Sequence, residues 1–209
     1  MISASLIADG SSDQVLIPIL QWLVSSMTSA PFLIRWADLR SRQSLPKTLA
    51  DRVREALHLY PCDLLFVHRD AEQQPAKWRY QEIAAAVPAR QRSIAVVPVR
   101  MQEAWLLHDE RALRKAAGRP SGTQPLHLPA LSRIERLPDP KGTLHTALRA
   151  AADVTGRRLR GFNSGRTARR LAELIEDWTP LQQLPAFAQL VTDTKKALRG
   201  LDVALTSPD

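Results

Sequence analysis

Four short apolar runs, each followed by a helical pattern, organise the first half of this chain. Residues 2–8 (ISASLIA), 32–36 (FLIRW), 63–68 (DLLFVH) and 94–99 (IAVVPV) have the length and side chains of strands. The third is apolar almost throughout, as in a strand covered on both faces. Pro98 cannot donate to a ladder, so the fourth should end there or lie at an edge. Between them the spacing predicts helices over 11–25, 47–59, 76–87 and 102–117. Ser11 and Gln14 form a capping-box pair, and Asp13 suits a positive helix start. Pro18 should kink the first helix or shorten its start. The stretch Val15 to Val24 is apolar nearly all round and should be deeply buried. Leu49, Val53, Ala56 and Leu57 lie near one face of the second helix.

Strictly alternating strands and helices argue for an α/β fold with a parallel sheet and helices on both faces. The pattern changes after Gly118, a good residue to follow a helix end. Residues 119–141 are rich in proline, and 142–153, 166–178 and 187–200 look helical. The expected organisation is an α/β core over 1–118. A proline-rich connection and a C-terminal helical part over 119–209 should pack on it.

At 209 residues, 44% hydrophobic and 24% charged, the chain has enough apolar material for a real core. No apolar run reaches the roughly 18 residues that cross a bilayer, and VLIPILQWLV lacks the basic start of a signal peptide. The single Cys62 excludes an internal disulfide and a cysteine-based zinc cluster. A cytoplasmic protein is the simplest expectation. The net charge of +8 is unevenly placed. Residues 1–110 hold 12 basic and 12 acidic residues, 111–170 hold 14 and 3, and 171–209 hold 3 and 6. The excess is densest around Arg157, Arg158, Arg160, Arg166, Arg169 and Arg170. Such a block attracts polyanions, so nucleic acid is the expected partner; a solvated helix face would read the same way.

Candidate chemistry lies just past the strands. Asp9 and Asp13 follow the first, Asp70 and Glu72 the third, and Glu103 the fourth. In a parallel sheet the carboxyl ends of the strands share one edge, where ligands bind. Carboxylates gathered there repel one another unless a cation sits between them, and a hard divalent ion with oxygen ligands is the usual solution. Each acid also has a plainer role, as a cap, an ion-pair partner or a first-turn acid. In Asp139-Pro140-Lys141-Gly142, a lysine at a helix start could reach a phosphate. The five histidines show no HxH or HExxH spacing. Neither a P-loop nor a G-x-S-x-G elbow occurs. The five tryptophans occupy apolar positions that read as core.

The ordered set of strand, Asp9-Gly10-Ser11-Ser12-Asp13, helix, and then strand, Asp70-Ala71-Glu72, resembles the Toprim domain of topoisomerases, bacterial primases and nucleases of the overcoming-lysogenization-defect type. That family has Glu-Gly after the first strand and Asp-x-Asp after the third, which together bind magnesium. Here Asp9 stands for the Glu and Glu72 for the second Asp. The later segments Gln102-Glu103-Ala104-Trp105-Leu106-Leu107 and Asp139-Pro140-Lys141 look like those of small stand-alone Toprim-like proteins, often encoded beside ATPases in phage-defence-type operons. The resemblance implies a Rossmann-like core of about four strands and a Mg2+- or Mn2+-dependent nuclease. It implies that Asp9, Asp70 and Glu72 hold a first ion, with Glu103 and Asp13 assisting. Lys141, or Arg69, would neutralise charge on the phosphoryl group, and an ATPase partner is expected. With tyrosine only at 60 and 80, topoisomerase chemistry is not expected. The altered acids leave open a non-catalytic binding module or ATPase subunit. A phospho-acceptor fold of the receiver type, with Asp70 as acceptor, lacks its fifth strand.

Overall fold

A computed structural model describes residues 1–40 and 46–206. Its centre is a four-stranded sheet of β1 (Ile2–Ile7), β2 (Phe32–Trp36), β3 (Leu64–His68) and β4 (Ser93–Val96). All three pairings are parallel and the order is β2-β1-β3-β4. The fold class read from the sequence therefore holds: a parallel α/β sheet flanked by helices, with a helical C-terminal part. Ladder bonds pair Ala4 with Leu64 and Ile34, and Phe66 with Ile94.

Alternation along the strands divides the core in two. Ala4, Leu6, Leu64, Phe66, Ile94 and Val96 point to one face and belong to the larger cluster. Ile7, Leu65 and Val67 point to the other, under α2 (Leu49–Leu59) and α3 (Ala76–Ala86). On the larger face lies α1 (Leu16–Ser25), burying Leu16, Ile19, Leu20, Leu23 and Val24. That spacing of three and four residues is the apolar stripe of a core-facing helix. A short 3-10 stretch, Ser11–Val15, precedes α1 and places Pro18 in its first turn. A first-turn N–H has no partner inside the helix, so proline is tolerated there. The expected shortened start is what occurs.

The segment after β4 departs from the single helix expected over 102–117. It forms a 3-10 stretch, Gln102–Leu107, and then α4 (Glu110–Ala116). Asp109 breaks it: its carboxylate accepts the Ala112 N–H at 2.9 Å and starts a new helix.

Beyond it come α5 (Pro140–Ala152), α6 (Gly156–Arg160), α7 (Ser164–Leu174) and α8 (Pro185–Gly200). The sequence pattern misses α6, which buries no residue. Asp139 caps α5 by accepting the Gly142 N–H at 2.8 Å. A Cβ on residue 142 would stand 2.1 Å from that carboxylate, so the cap requires glycine. One continuous apolar cluster runs from Ala4 of β1 to Leu198 of α8. Trp105 and Phe187 meet edge to face inside it, with centroids 5.2 Å apart and planes at 85°. Among the described residues, no helix is long and apolar enough to cross a membrane.

Candidate active site

The connection leaving β1 goes to β2 on one side, while β3 lies on the other, so the ends of β1 and β3 flank a switch point. In open parallel sheets the crevice there is where ligands bind. Asp13, Asp70 and Glu103 come to this place from three different connections.

Asp13 is buried. Its Oδ2 accepts the Gly10 N–H at 2.9 Å, and its Oδ1 accepts from Ser12 Oγ at 3.0 Å and Gln102 Nε2 at 2.9 Å. Gln102 also donates its backbone N–H to Asp70 Oδ1 at 3.1 Å. One residue thus ties the first acid cluster to the second. The other side-chain atom of this amide, Oε1, is buried with no hydrogen-bond partner.

Burial pushes the Asp70 carboxyl up to about 8, and the neighbouring negative charges of Glu103, Asp13 and Glu72 add to the rise. Beneath it, the ring of His68 is fully enclosed, and burial holds its pKa below the ordinary value. Its Nδ1 lies 3.0 Å from the Val96 carbonyl oxygen, which can only accept, so Nδ1 carries the ring proton. The bare Nε2 then faces Asp70 Oδ1 at 3.5 Å. Two acceptors face one another comfortably only if one holds a proton, and the high pKa of Asp70 supplies it.

Glu103 is also buried, and Lys141 Nζ from the first turn of α5 stands 3.5 Å from its Oε1. This pair borders a cleft of about 330 Å3. Ser11 and Ser12 form one wall, Lys141 and His145 of α5 a second, and Arg166 and Arg169 of α7 a third. Arg169 Nη2 donates to the Ser11 carbonyl at 3.2 Å, which joins α7 to the turn after β1. The His145 ring is held below its usual pKa by burial and by the charges of Lys141 and Arg149. Arg170 is exposed on α7, and Arg157, Arg158 and Arg160 are exposed on α6; none of these four lines the cleft.

Two expected ligands stand elsewhere. Asp9 is half-exposed and clasped by Arg52 Nη1 and by Arg69 Nη1, the latter at 2.8 Å. Arg69 also reaches Glu82 at 3.3 Å, and Glu82 binds Arg79 at 2.9 Å. Glu72 takes a left-handed φ of 55° and turns an exposed side chain toward Arg79, 3.7 Å away. The arginines of α2, α3 and β3's end therefore occupy the acids that the sequence offered first. Arg69 neutralises Asp9, not a phosphate. Among the described residues, no three His, Cys, Asp or Glu side chains gather about one point that would hold a metal ion.

The donors at the switch point nonetheless suit a hard cation. Asp13, Asp70, Glu103 and the orphaned Gln102 Oε1 are all oxygen donors, and burial, with the neighbouring acids adding to it, raises the Asp70 pKa. Magnesium typically keeps several waters and takes only one or two carboxylates, so it does not need a gathered trio. Sequence reasoning misses Gln102 and His68 as site residues because neither is a carboxylate, and only the tertiary structure shows what they touch.

Comparison of the chain with protein-family models, with curated proteins and with solved structures finds no significant match. The Toprim resemblance thus rests on the residues themselves.

Proposed function

We propose that this protein hydrolyses phosphodiester bonds of nucleic acid, using Mg2+ or Mn2+. The observation that carries the reading is a shared boundary. Carboxylates at the switch point, where burial and then the neighbouring acids raise Asp70 to about 8, adjoin a cleft walled by Lys141, Arg166 and Arg169. Cations that hold a phosphate beside acids that hold an ion are the two halves of metal-assisted phosphoryl chemistry.

Asp70 with one of its neighbours Asp13 and Glu103, together with Gln102 Oε1 and water, would hold the ion in place of the Asp9, Asp70 and Glu72 set. When bound, such an ion lowers the pKa of a coordinated water and polarises the phosphate. The chain's own groups do the rest. Lys141 and Arg169 orient the phosphate and offset its charge. The enclosed His68 and the Gln102 N–H fix the Asp70 carboxyl. Exposed Arg157, Arg158 and Arg160 attract the backbone without reading bases.

The test is cleavage of labelled single- and double-stranded DNA and RNA with Mg2+ or Mn2+, against EDTA, Asp70→Asn and Glu103→Gln. Metal-dependent cutting lost in folded variants supports the reading. Undiminished cutting by folded Asp70→Asn protein overturns it. A second reading, a non-catalytic binding module that docks on an ATPase, draws on the clasp of Arg52 and Arg69 around Asp9. It expects no cutting and a stable complex with that partner.

A further inference from the structure

The cleft is more concentrated in positive charge than contact with a passing backbone requires. Lys141 and His145 lie one turn apart on α5, and Arg166 and Arg169 lie one turn apart on α7. These three cations and the His145 ring, a further hydrogen-bonding group, converge on the same concavity of about 330 Å3, where Glu103 is the single acid among the lining residues. Lys141 is half-exposed and only loosely paired with Glu103. Arg166 makes no ion pair among the described residues, and the hydrogen bond from Arg169 goes to a neutral carbonyl. The internal phosphates of a strand each carry one charge and arrive in series. They match a stripe of cations, such as the exposed arginines of α6. A terminal phosphate monoester carries about −1.5 to −2 at neutral pH and offers three acceptor oxygens from one centre. Converging donors match that geometry, and two of them are arginines, whose planar forks bind phosphate in pairs of hydrogen bonds.

We propose that this cleft binds the phosphate monoester at the end of a nucleic-acid strand, so that the protein engages phosphorylated ends in preference to chain interiors. The inference rests on nucleic acid being the substrate and adds which part of it the cleft reads.

Anisotropy of short fluorescent single strands in EDTA tests it, because nothing is cut. One strand carries a 5′-phosphate, a second a 3′-phosphate, and a third hydroxyls at both ends. One phosphorylated strand should bind about tenfold tighter than the hydroxyl strand, the effect of one charged hydrogen bond. Excess inorganic phosphate should remove the preference, and so should Arg166→Ala and, separately, His145→Ala. Arg166 is exposed, so its replacement leaves the fold intact, which circular dichroism checks. Equal affinity for the three strands overturns the proposal. An end preference in a protein that cuts nothing with Mg2+ or Mn2+ keeps the pocket and retires the hydrolase reading. Cutting without an end preference does the reverse.

Discussion

Replacing Asp70 by asparagine should make the folded protein more stable at neutral pH while removing its activity. The carboxyl titrates at about 8 in the folded protein, against about 3.9 in an unfolded chain. The native state therefore binds the proton more tightly. The stability this lends is complete below about pH 4 and is lost as the pH rises toward 8. Integrated to pH 7, the loss amounts to about 4 kcal/mol. That figure is a ceiling, because the side chain is 23% exposed and water relieves part of the strain. Asparagine keeps an oxygen for the Gln102 N–H and carries no charge among Glu103 and Asp13. A chain of 209 residues shifts its melting temperature by about 2–4 °C per kcal/mol. The variant should melt up to about 16 °C above the wild type at pH 7, with the gap closing at pH 4. Thermal unfolding followed by circular dichroism across that range reads the effect. Magnesium added at pH 8 should narrow the gap by stabilising only the wild type. A variant less stable at pH 7, or a gap that does not change between pH 4 and pH 8, refutes the account of a carboxyl raised by burial and by its acidic neighbours.

Three further outcomes follow from the same geometry. Asp9→Asn removes a carboxylate that sits between two arginines, so cleavage should fall by about tenfold at most, against about 100-fold or more for Glu103→Gln; single-turnover rates compare them. Phe187→Ala opens a cavity beside Trp105 and should cost about 3–5 kcal/mol. Urea unfolding should still show one transition, because the cluster it damages spans both halves of the chain. Replacing Arg157, Arg158 and Arg160 by alanine should flatten the salt dependence of nucleic-acid binding. The log–log slope should fall by about 0.7 to 0.9 for each phosphate no longer neutralised, leaving the melting temperature unchanged.

The sheet is legible in the sequence because its signals are local. Phe32–Trp36 coincides with the apolar run that predicts β2, and Pro98 ends β4 early as its missing N–H requires. The 102–117 segment misleads because periodicity continues across Asp109, while the cap that breaks it is a single side-chain choice. The site is legible as an edge, since Asp13, Asp70 and Glu103 all follow strands. It is not legible as a ligand set. Arg52 stands 43 residues from Asp9, and no local pattern announces that it will neutralise that acid. The cleft shares this property, for its walls come from residues 11–12, 141–145 and 163–169.

The last helix covers what the first strands begin. Thr28 Oγ1 donates to the Ala204 carbonyl and Thr206 N–H to that of Met27, so the chain closes on itself across about 176 residues. During synthesis, the face of Phe66, Ile94 and Val96 is complete as a sheet roughly a hundred residues before α8 exists to lie against β4. At about 5–20 residues per second, that interval is on the order of 5–20 s. For that time α1 alone covers this apolar face, and the part that α8 will occupy beside β4 stays open until the chain is almost finished.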